Sequence, residues 1–553
     1  MIPRGRLWFA LVVCLAIPTT MVCLAAPELQ GESNYAQYGY KHYNNTQPND
    51  TRSSATQSRQ SVAALTDADQ TSAYQVNVSQ TGASQADAPR TGAAQSDDET
   101  HKLAREIYKE LIEINTTDSV GNTTVAAEAM AKRLRDAGYA ESDIFIGGPN
   151  PRKGNLVVRL HGTSKAAGAG LSKGAGARKP ILLICHLDVV EARREDWSVD
   201  PFTFLEKDGY FYGRGTEDIK DGDAILMSAM IRMKREGYQP DRDIILALTA
   251  DEEGGQSNGV AWLLANHPDL IAADFAVNPD AGVFELENGK KKLVGIEAAE
   301  KTYQDFELKV TNRGGHSSLP TTDNAIYQLS DGLARLQQFQ FPFELNEVTR
   351  EYFSRSATIL GGSLGADMKA IVQNPADAGA IARLSAMPYY NARMRTTCVP
   401  TMLQGGHARN ALPGFAAANV NCRILPGHTS DEVQKVLVKV LNDPEISVTA
   451  IVAKGAGTEA TAPSPLRPDV MGALEKVSAE LWPGVPVVPQ MDPGASDNSI
   501  LRARGTPAYG VVGVFTDVED DRSHGKDERI RAASFYGGVD FYYRFIKALS
   551  AGQ

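Results

Sequence analysis

Three stretches of this chain share one hydropathic shape, an unbroken apolar run that ends in acid or imidazole. Residues 181–188 read I-L-L-I-C-H-L-D, residues 244–253 read I-I-L-A-L-T-A-D-E-E, and residues 275–280 read F-A-V-N-P-D. Short apolar runs without alternation predict strands buried on both faces, as parallel strands are. Ligands of open α/β sheets bind beyond the carboxyl ends of such strands. The three runs therefore predict one rim that carries His186, Asp188, Glu252, Glu253 and Asp280.

Helical spacing surrounds them. Leu103, Ile107, Leu111 and Ile112 recur on one helical face, and residues 125–137, 224–236 and 470–481 repeat the pattern. With further strands predicted over 155–160 and 508–514, the fold class is α/β, a mixed sheet flanked by helices. After Asp280 the texture changes. Strands over 306–310, 393–403, 416–425 and 446–452, with helices over 325–339 and 432–441, give the order strand-helix-strand-strand-helix-strand. That is the ferredoxin-like split βαβ plait, here an inserted lid or dimerisation domain. The expected organisation is a catalytic domain over 99–298, the insertion over 299–456, and the rest of the catalytic domain over 457–553.

The N-terminal region differs in kind. Arg4 and Arg6 precede an apolar run to Ile17 and a small-residue end at Ala25–Ala26, which predicts a secretory signal over 1–25 and an exported, periplasmic or secreted protein. An uncleaved anchor over 7–26, giving membrane proximity, is the alternative. Residues 26–98 are rich in Gln, Ser, Thr and Ala and poor in Leu, Ile and Phe, so they predict a disordered tether. The Gly/Ala/Ser/Lys stretch 162–179 predicts a flexible hairpin insertion.

Composition narrows the function classes. The 553 residues are 42% hydrophobic, enough for a buried core, and carry a net charge of −11 with acids and bases interspersed, which excludes a nucleic-acid footprint. Outside the signal only Cys185, Cys398 and Cys422 remain, too few for a disulfide framework. Cys398 and Cys422 flank the turn at Asn410–Gly414 and could face each other across it.

The candidate ligands are His186, Asp218, Glu252, Glu253, Asp280 and His524. Two imidazoles with several carboxylates and no thiol suit catalytic zinc, and more acids than one ion can use suggest two metals with a bridging carboxylate. Asp188 is spaced to accept the second ring N–H of His186 and fix its tautomer. Of the adjacent acids Glu252 and Glu253, one can ligate while the other moves a proton, and spacing leaves open which does which. Singly each has a plainer reading: a helix-start acid pair for Glu252 and Glu253, and loop histidines for His316 and His524.

Together the motifs C-H-L-D-V-V (185–190), G-R-G-T-E-D-I-K-D-G (213–222), T-A-D-E-E-G-G (249–255), G-G-H-S-S-L-P (314–320), N-A-L-P (410–413), R-I-L-P-G (423–427) and H-G-K-D-E-R-I (524–530) carry a resemblance. From about Leu103 onward the chain resembles the zinc exopeptidase family of carboxypeptidase G, aminoacylase and succinyl-diaminopimelate desuccinylase, closest in layout to its carboxypeptidase S branch. The resemblance implies two Zn2+ ions, with Co2+ or Mn2+ as substitutes. His186 and Asp280 would hold one, Glu253 and His524 the other, and Asp218 would bridge. It further implies Glu252 as general base and acid, Asp188 orienting His186, and His316 stabilising the oxyanion, in dimeric relatives from the partner subunit. Asn410, Arg423 and the Gly494–Ala495 turn would hold a substrate carboxylate.

The implied activity is a binuclear zinc hydrolase cleaving an amide next to a free carboxylate, on a small peptide or N-acyl amino acid, with a homodimer admitted. An aminopeptidase or N-deacylase is the nearest alternative, and an inactive exported binding protein is one of a different class. Two departures stand out. Asp221 occupies the position three after the bridging acid where the family commonly has glycine, and the region 345–390 is longer than in compact dimeric members.

Overall fold

A computed structural model describes residues 92–163, 178–254, 256–451 and 459–551. The expected signal, nearly all of the tether and most of the 162–179 insertion lie outside the described residues. The first helix, Gly92–Glu113, starts inside the span expected to be tether. Its opening turns lack apolar periodicity, yet they are held by an Asp97–Arg232 ion pair at 2.8 Å and by the buried Thr100.

The expected mixed sheet has ten strands. Ile181–His186 lies at its centre, parallel to Ile244–Thr249 on one side and Phe275–Asn278 on the other. Asn155–Leu160 continues outward antiparallel to Ile244–Thr249, and Ala508–Gly510 continues the other way, parallel to Phe275–Asn278. The apolar runs are continuous because two cores share them. Ile181, Leu183 and Cys185 enter one core with the helices Gly92–Glu113, Thr123–Asp136, Lys220–Arg235 and Ala532–Ser550. Leu182 and Ile184 enter the other, with Val260, Leu263 and Leu501 from the shorter helices Gly259–Asn266 and Asp497–Ala503. Alternate residues facing two helical layers leave no position for a polar side chain. Burying each such Leu or Ile contributes about 1.5–3 kcal/mol.

A second, four-stranded sheet has the order Thr397–Gly405, Phe415–Ile424, Thr302–Thr311, Ser447–Ile451. The helices Ala325–Gln338 and Ser430–Leu441 cover one face and build a separate core with Phe306, Leu308, Val420 and Cys422. Cys398 and Cys422 are register partners across the Thr397–Gly405 and Phe415–Ile424 strands and form a disulfide.

Two features differ from the sequence reading. Pro388–Met394 is helical, so the strand expected from Arg393 begins at Thr397. The Arg393 guanidinium lies 3.7 Å from the ring centre of Tyr389, four residues back on the same helical face, a contact that the helix brings about and a strand would pull apart. The helices between Glu347 and Met394 pack not on the small sheet but with Leu293 and Val488 of the large one. Among the described residues no helix is long and apolar enough to cross a membrane.

Candidate metal centre

The three apolar strands are neighbours and parallel, so their carboxyl ends open on one edge. His186 ends its strand opposite Thr249, three residues before Glu252, and Asp280 follows the third strand by two residues. The 251–253 turn is heavily braced. Asp251 adopts a left-handed φ of 62° and receives the Lys153 ammonium and the Ser257 N–H, the latter at 3.0 Å. The Glu252 and Glu253 N–H groups each donate to the Asp188 carboxylate at 3.1 Å.

Asp218 enters from the loop that precedes helix Lys220–Arg235. The carboxylate of Glu528, wholly buried, accepts from Gly215 N at 3.2 Å, Glu217 N at 2.7 Å and Asp218 N at 3.1 Å, and pairs with Arg214. So held, Asp218 turns Oδ1 to His186 Nε2 at 3.3 Å and Oδ2 to His524 Nε2 at 3.0 Å. His524 Nε2 is also 2.9 Å from Glu253 Oε1, and His186 Nε2 lies 3.7 Å from Asp280 Oδ1. Two donor sets result, each with its ligand atoms within 4.8 Å of one another: His186, Glu252 and Asp280, and His186, Asp218 and Glu253.

The tautomer of His186 is fixed, though not as expected. Nδ1 lies 2.9 Å from the backbone carbonyl of Asp188, which can only accept, whereas the Asp188 carboxylate is 3.8 Å away and serves the 252–253 turn instead. Asp188 thus orients the ring through its main chain, and its side chain holds the acid pair. With one hydrogen held on Nδ1, the ring aims Nε2, buried and without a hydrogen-bond partner, between two carboxylates, where a cation would take the place of a proton. That donor chemistry fits a pair of divalent cations of the zinc type.

Crowded acids raise each other's proton affinity. Burial, with the Asp280 charge, pushes Glu252 well above the carboxylate range, while His186 opposes it. Burial and the Asp218 charge push Glu253 up to about 7. Burial would lower His524, but Asp218 and Glu253 outweigh it and push it up to about 10. Cations in the two sets would replace those protons.

The model of peptidase family M20/M25/M40 matches residues 182–548. The chain belongs to this family. It is therefore a hydrolase of the metallopeptidase and amidohydrolase class. It is similar to the human N-fatty-acyl-amino acid synthase/hydrolase PM20D1, 30% identical over 390 residues that cover 68% of this chain and 75% of that one. The probable carboxypeptidase S-like 2 of Dictyostelium discoideum is 28% identical over 385 residues, 67% of this chain and 71% of that one. Among solved structures, the fold matches the M20 family metallo-carboxypeptidase Sso-CP2 of Sulfolobus solfataricus with a TM-score of 0.57 and 16% identity, covering 81% of this chain and 99% of that one.

In this M20/M25/M40 member the remaining candidates divide into two groups. Arg423 and Gly494 meet at one place, Arg423 Nη1 donating to Pro493 O at 3.2 Å. His316 and Asn410 sit together elsewhere, His316 paired with Ala411 and Ser317 N donating to Asn410 O at 3.1 Å. Both are exposed, and among the described residues no hydrogen bond or ion pair links His316 to the acids. Three supporting residues escaped the sequence reading: Glu528, Lys153 and Asp497. Asp497 accepts from Asn258 Nδ2 at 2.7 Å and so ties the next helix to the acid turn. Of the three only Glu528 lies inside one of the motifs, 524–530; Lys153 is 98 positions from Asp251, and Asp497 follows the Gly494–Ala495 turn without a motif of its own. Asp221, the departure from the family pattern, is buried in the first turn of its helix. The glycine comes one residue later, where a Cβ on Gly222 would lie 2.7 Å from Pro279, next to Asp280.

Proposed function

We propose that this chain is a binuclear zinc hydrolase that cleaves an amide bond adjacent to a free carboxylate, in a small peptide or N-acyl amino acid. The supporting observation is the Asp218 carboxylate, whose two oxygens face one histidine each, His186 and His524. In this reading Asp218 bridges, His186 and Asp280 complete one site, and Glu253 and His524 complete the other. The ions would supply Lewis acidity and a water of lowered pKa. Glu252, held over the same rim by its N–H bond to Asp188, takes the proton of the attacking water and passes it to the departing amine nitrogen. Arg423, Gly494 and Asn410 bind the substrate carboxylate, a planar acceptor that suits a guanidinium fork.

The carboxylate requirement agrees with the names of two relatives, an N-fatty-acyl-amino acid hydrolase and a carboxypeptidase S-like protein. The four-stranded sheet, which carries Arg423, acts as a lid over the rim. A second copy of the chain delivers His316 and Asn410 to the oxyanion and carboxylate positions. Beside them the exposed Leu319, Tyr327, Met402 and Leu403 supply an apolar contact surface. Export through the first 25 residues would be read from the N-terminal sequence of the mature protein.

Glu252→Gln with metal content measured alongside tests the chemistry. Full zinc occupancy with turnover reduced by roughly 10²–10⁴ is the expected result. Full occupancy with near-wild-type turnover removes Glu252 from its role.

A further inference from the structure

The small sheet has a second face, opposite its helices, with an unusual column of polar side chains. Core residues Phe306, Leu308, Val420 and Cys422 point one way. By strand alternation Tyr303 and Asp305, with Asn419, Asn421 and Arg423, point the other. Tyr303 pairs in register with Arg423, and Asp305 with Asn421. The guanidinium of Arg423 lies over the Tyr303 ring at 4.8 Å from its centre. The Tyr303 hydroxyl donates to Asp305 Oδ2 at 2.6 Å. Asp305 Oδ1 in turn accepts from Asn419 Nδ2 at 3.0 Å and Asn421 Nδ2 at 2.9 Å.

These contacts form one chain of restraint. Two carboxamides fix the Asp305 carboxylate, the carboxylate fixes the Tyr303 hydroxyl, and the ring supports the guanidinium plane from below. The Pro493 carbonyl holds that plane at its edge, beside Gly494. A guanidinium on a flexible stem loses rotamer entropy when it grips a ligand, and prior restraint removes that cost from binding. Tyr303 keeps its hydrogen at working pH, since burial and the neighbouring Asp305 push its pKa up to about 12. The column contributes nothing to the sheet's core, so core packing does not account for it.

We propose that Tyr303 and Asp305 are positioning residues that preorganise Arg423 for the substrate carboxylate and thereby set the preference for free acids over neutral ends. This rests on the reading of Arg423 as the carboxylate anchor. Arg423 touches the substrate, while Tyr303 and Asp305 act through it.

The test compares the N-acetyl amino acid turned over fastest in a panel of the twenty with its own carboxamide. Tyr303→Phe keeps the ring and removes the hydroxyl, and Asp305→Asn keeps the shape and removes the charge. Each should raise KM for the free acid roughly 3–10-fold with kcat within about 2-fold of wild type. Neither should change KM for the carboxamide, and neither should add to Arg423→Ala, as residues acting through one group are non-additive. Zinc content and Tm should stay at wild-type values.

A fall in kcat matching the rise in KM, an equal effect on the carboxamide, or a full effect on the Arg423→Ala background would make the pair merely structural and overturn the proposal. If Arg423→Ala leaves KM for the free acid unchanged, or no panel member is hydrolysed, the anchor reading itself fails and takes the proposal with it. A clear Arg423→Ala effect with silent Tyr303→Phe and Asp305→Asn overturns the proposal alone.

Discussion

Asp188 and Glu252 are joined through the main chain, the Asp188 carboxylate accepting the Glu252 N–H at 3.1 Å. Its second oxygen does the same for Glu253. One side chain therefore sets the positions of the proposed base, Glu252, and of the proposed metal ligand, Glu253, together, while its own backbone carbonyl meets the His186 ring.

That arrangement separates two substitutions. Asp188→Ala removes both acceptors from a buried turn, at about 1.5–3 kcal/mol for each charge-assisted bond. Both kcat and zinc occupancy are expected to fall. Asp188→Asn keeps one acceptor oxygen and turns an NH2 donor toward the other N–H. It should lose activity with a smaller loss of stability than alanine causes, and in both variants the Asp188 main-chain carbonyl still meets the His186 ring. Kinetics with metal analysis on both variants checks this. Retained zinc and activity in Asp188→Ala would show that the turn stands without its carboxylate bonds.

Glu528 is a second buried support. It accepts three backbone N–H groups of the Asp218 loop and pairs with Arg214, which also lies over Trp197. Glu528→Gln leaves a buried guanidinium without its counter-charge, a change that costs about 3–5 kcal/mol. Denaturant unfolding should show that loss. Metal analysis should show weakened binding, because Asp218 is positioned through this loop. Unchanged metal affinity in a destabilised variant would separate the loop's stability from the site.

Much of this centre was legible in the chain itself. Runs such as Ile181–Ile184 feed two cores at once, so no polar residue interrupts them and their ends stand out. His186, Asp280 and the acid pair follow from those ends alone. Other relations were not legible because nothing local encodes them. Glu528 acts on Asp218 across 310 positions of sequence. Spacing of two suggested that the Asp188 carboxylate meets His186, but a tight turn gave that place to the carbonyl. The strand expected from Arg393 starts late, at Thr397, because the Arg393–Tyr389 stacking that favours the helix through Met394 has no hydropathic signature.

The crowded acids make the metal-free protein sensitive to pH in one direction. Burial holds Glu253 and Asp497 at about 7, above the 4.5 and 3.8 of the free groups, and the carboxylate partners of His524 hold it at about 10, above its 6.5. Each keeps a proton in the folded state that the unfolded chain has already released, so stability falls as pH rises from about 4 to about 7; above that, Lys220, which burial lowers to about 7, works against His524. Thermal unfolding of chelator-treated protein should show Tm declining over that window. Zinc should flatten the slope, and its uptake should release protons into a weakly buffered solution. A metal-free Tm that rises with pH between 5 and 7 would contradict the protonated state of the cluster.

His316 poses the sharpest question of assembly, since it is exposed and lies with Asn410 rather than with the acids. If a second copy supplies it, two inactive variants can repair each other. Homogeneous His316→Ala lacks the oxyanion donor in every site, and homogeneous Glu252→Gln lacks the base in every site. In a mixed dimer, the His316→Ala subunit keeps its own Glu252 and borrows His316 from its partner, so one of the two sites works. Random mixing of equal amounts makes half the dimers mixed, and total activity should recover to about a quarter of wild type. Co-expression with distinguishable tags, followed by assay of the doubly purified mixed dimer, which should show about half of wild-type activity because one of its two sites works, measures this directly. A dimer by light scattering that shows no recovery would mean that His316 serves its own subunit, which would then require the small sheet to swing toward the acids during turnover.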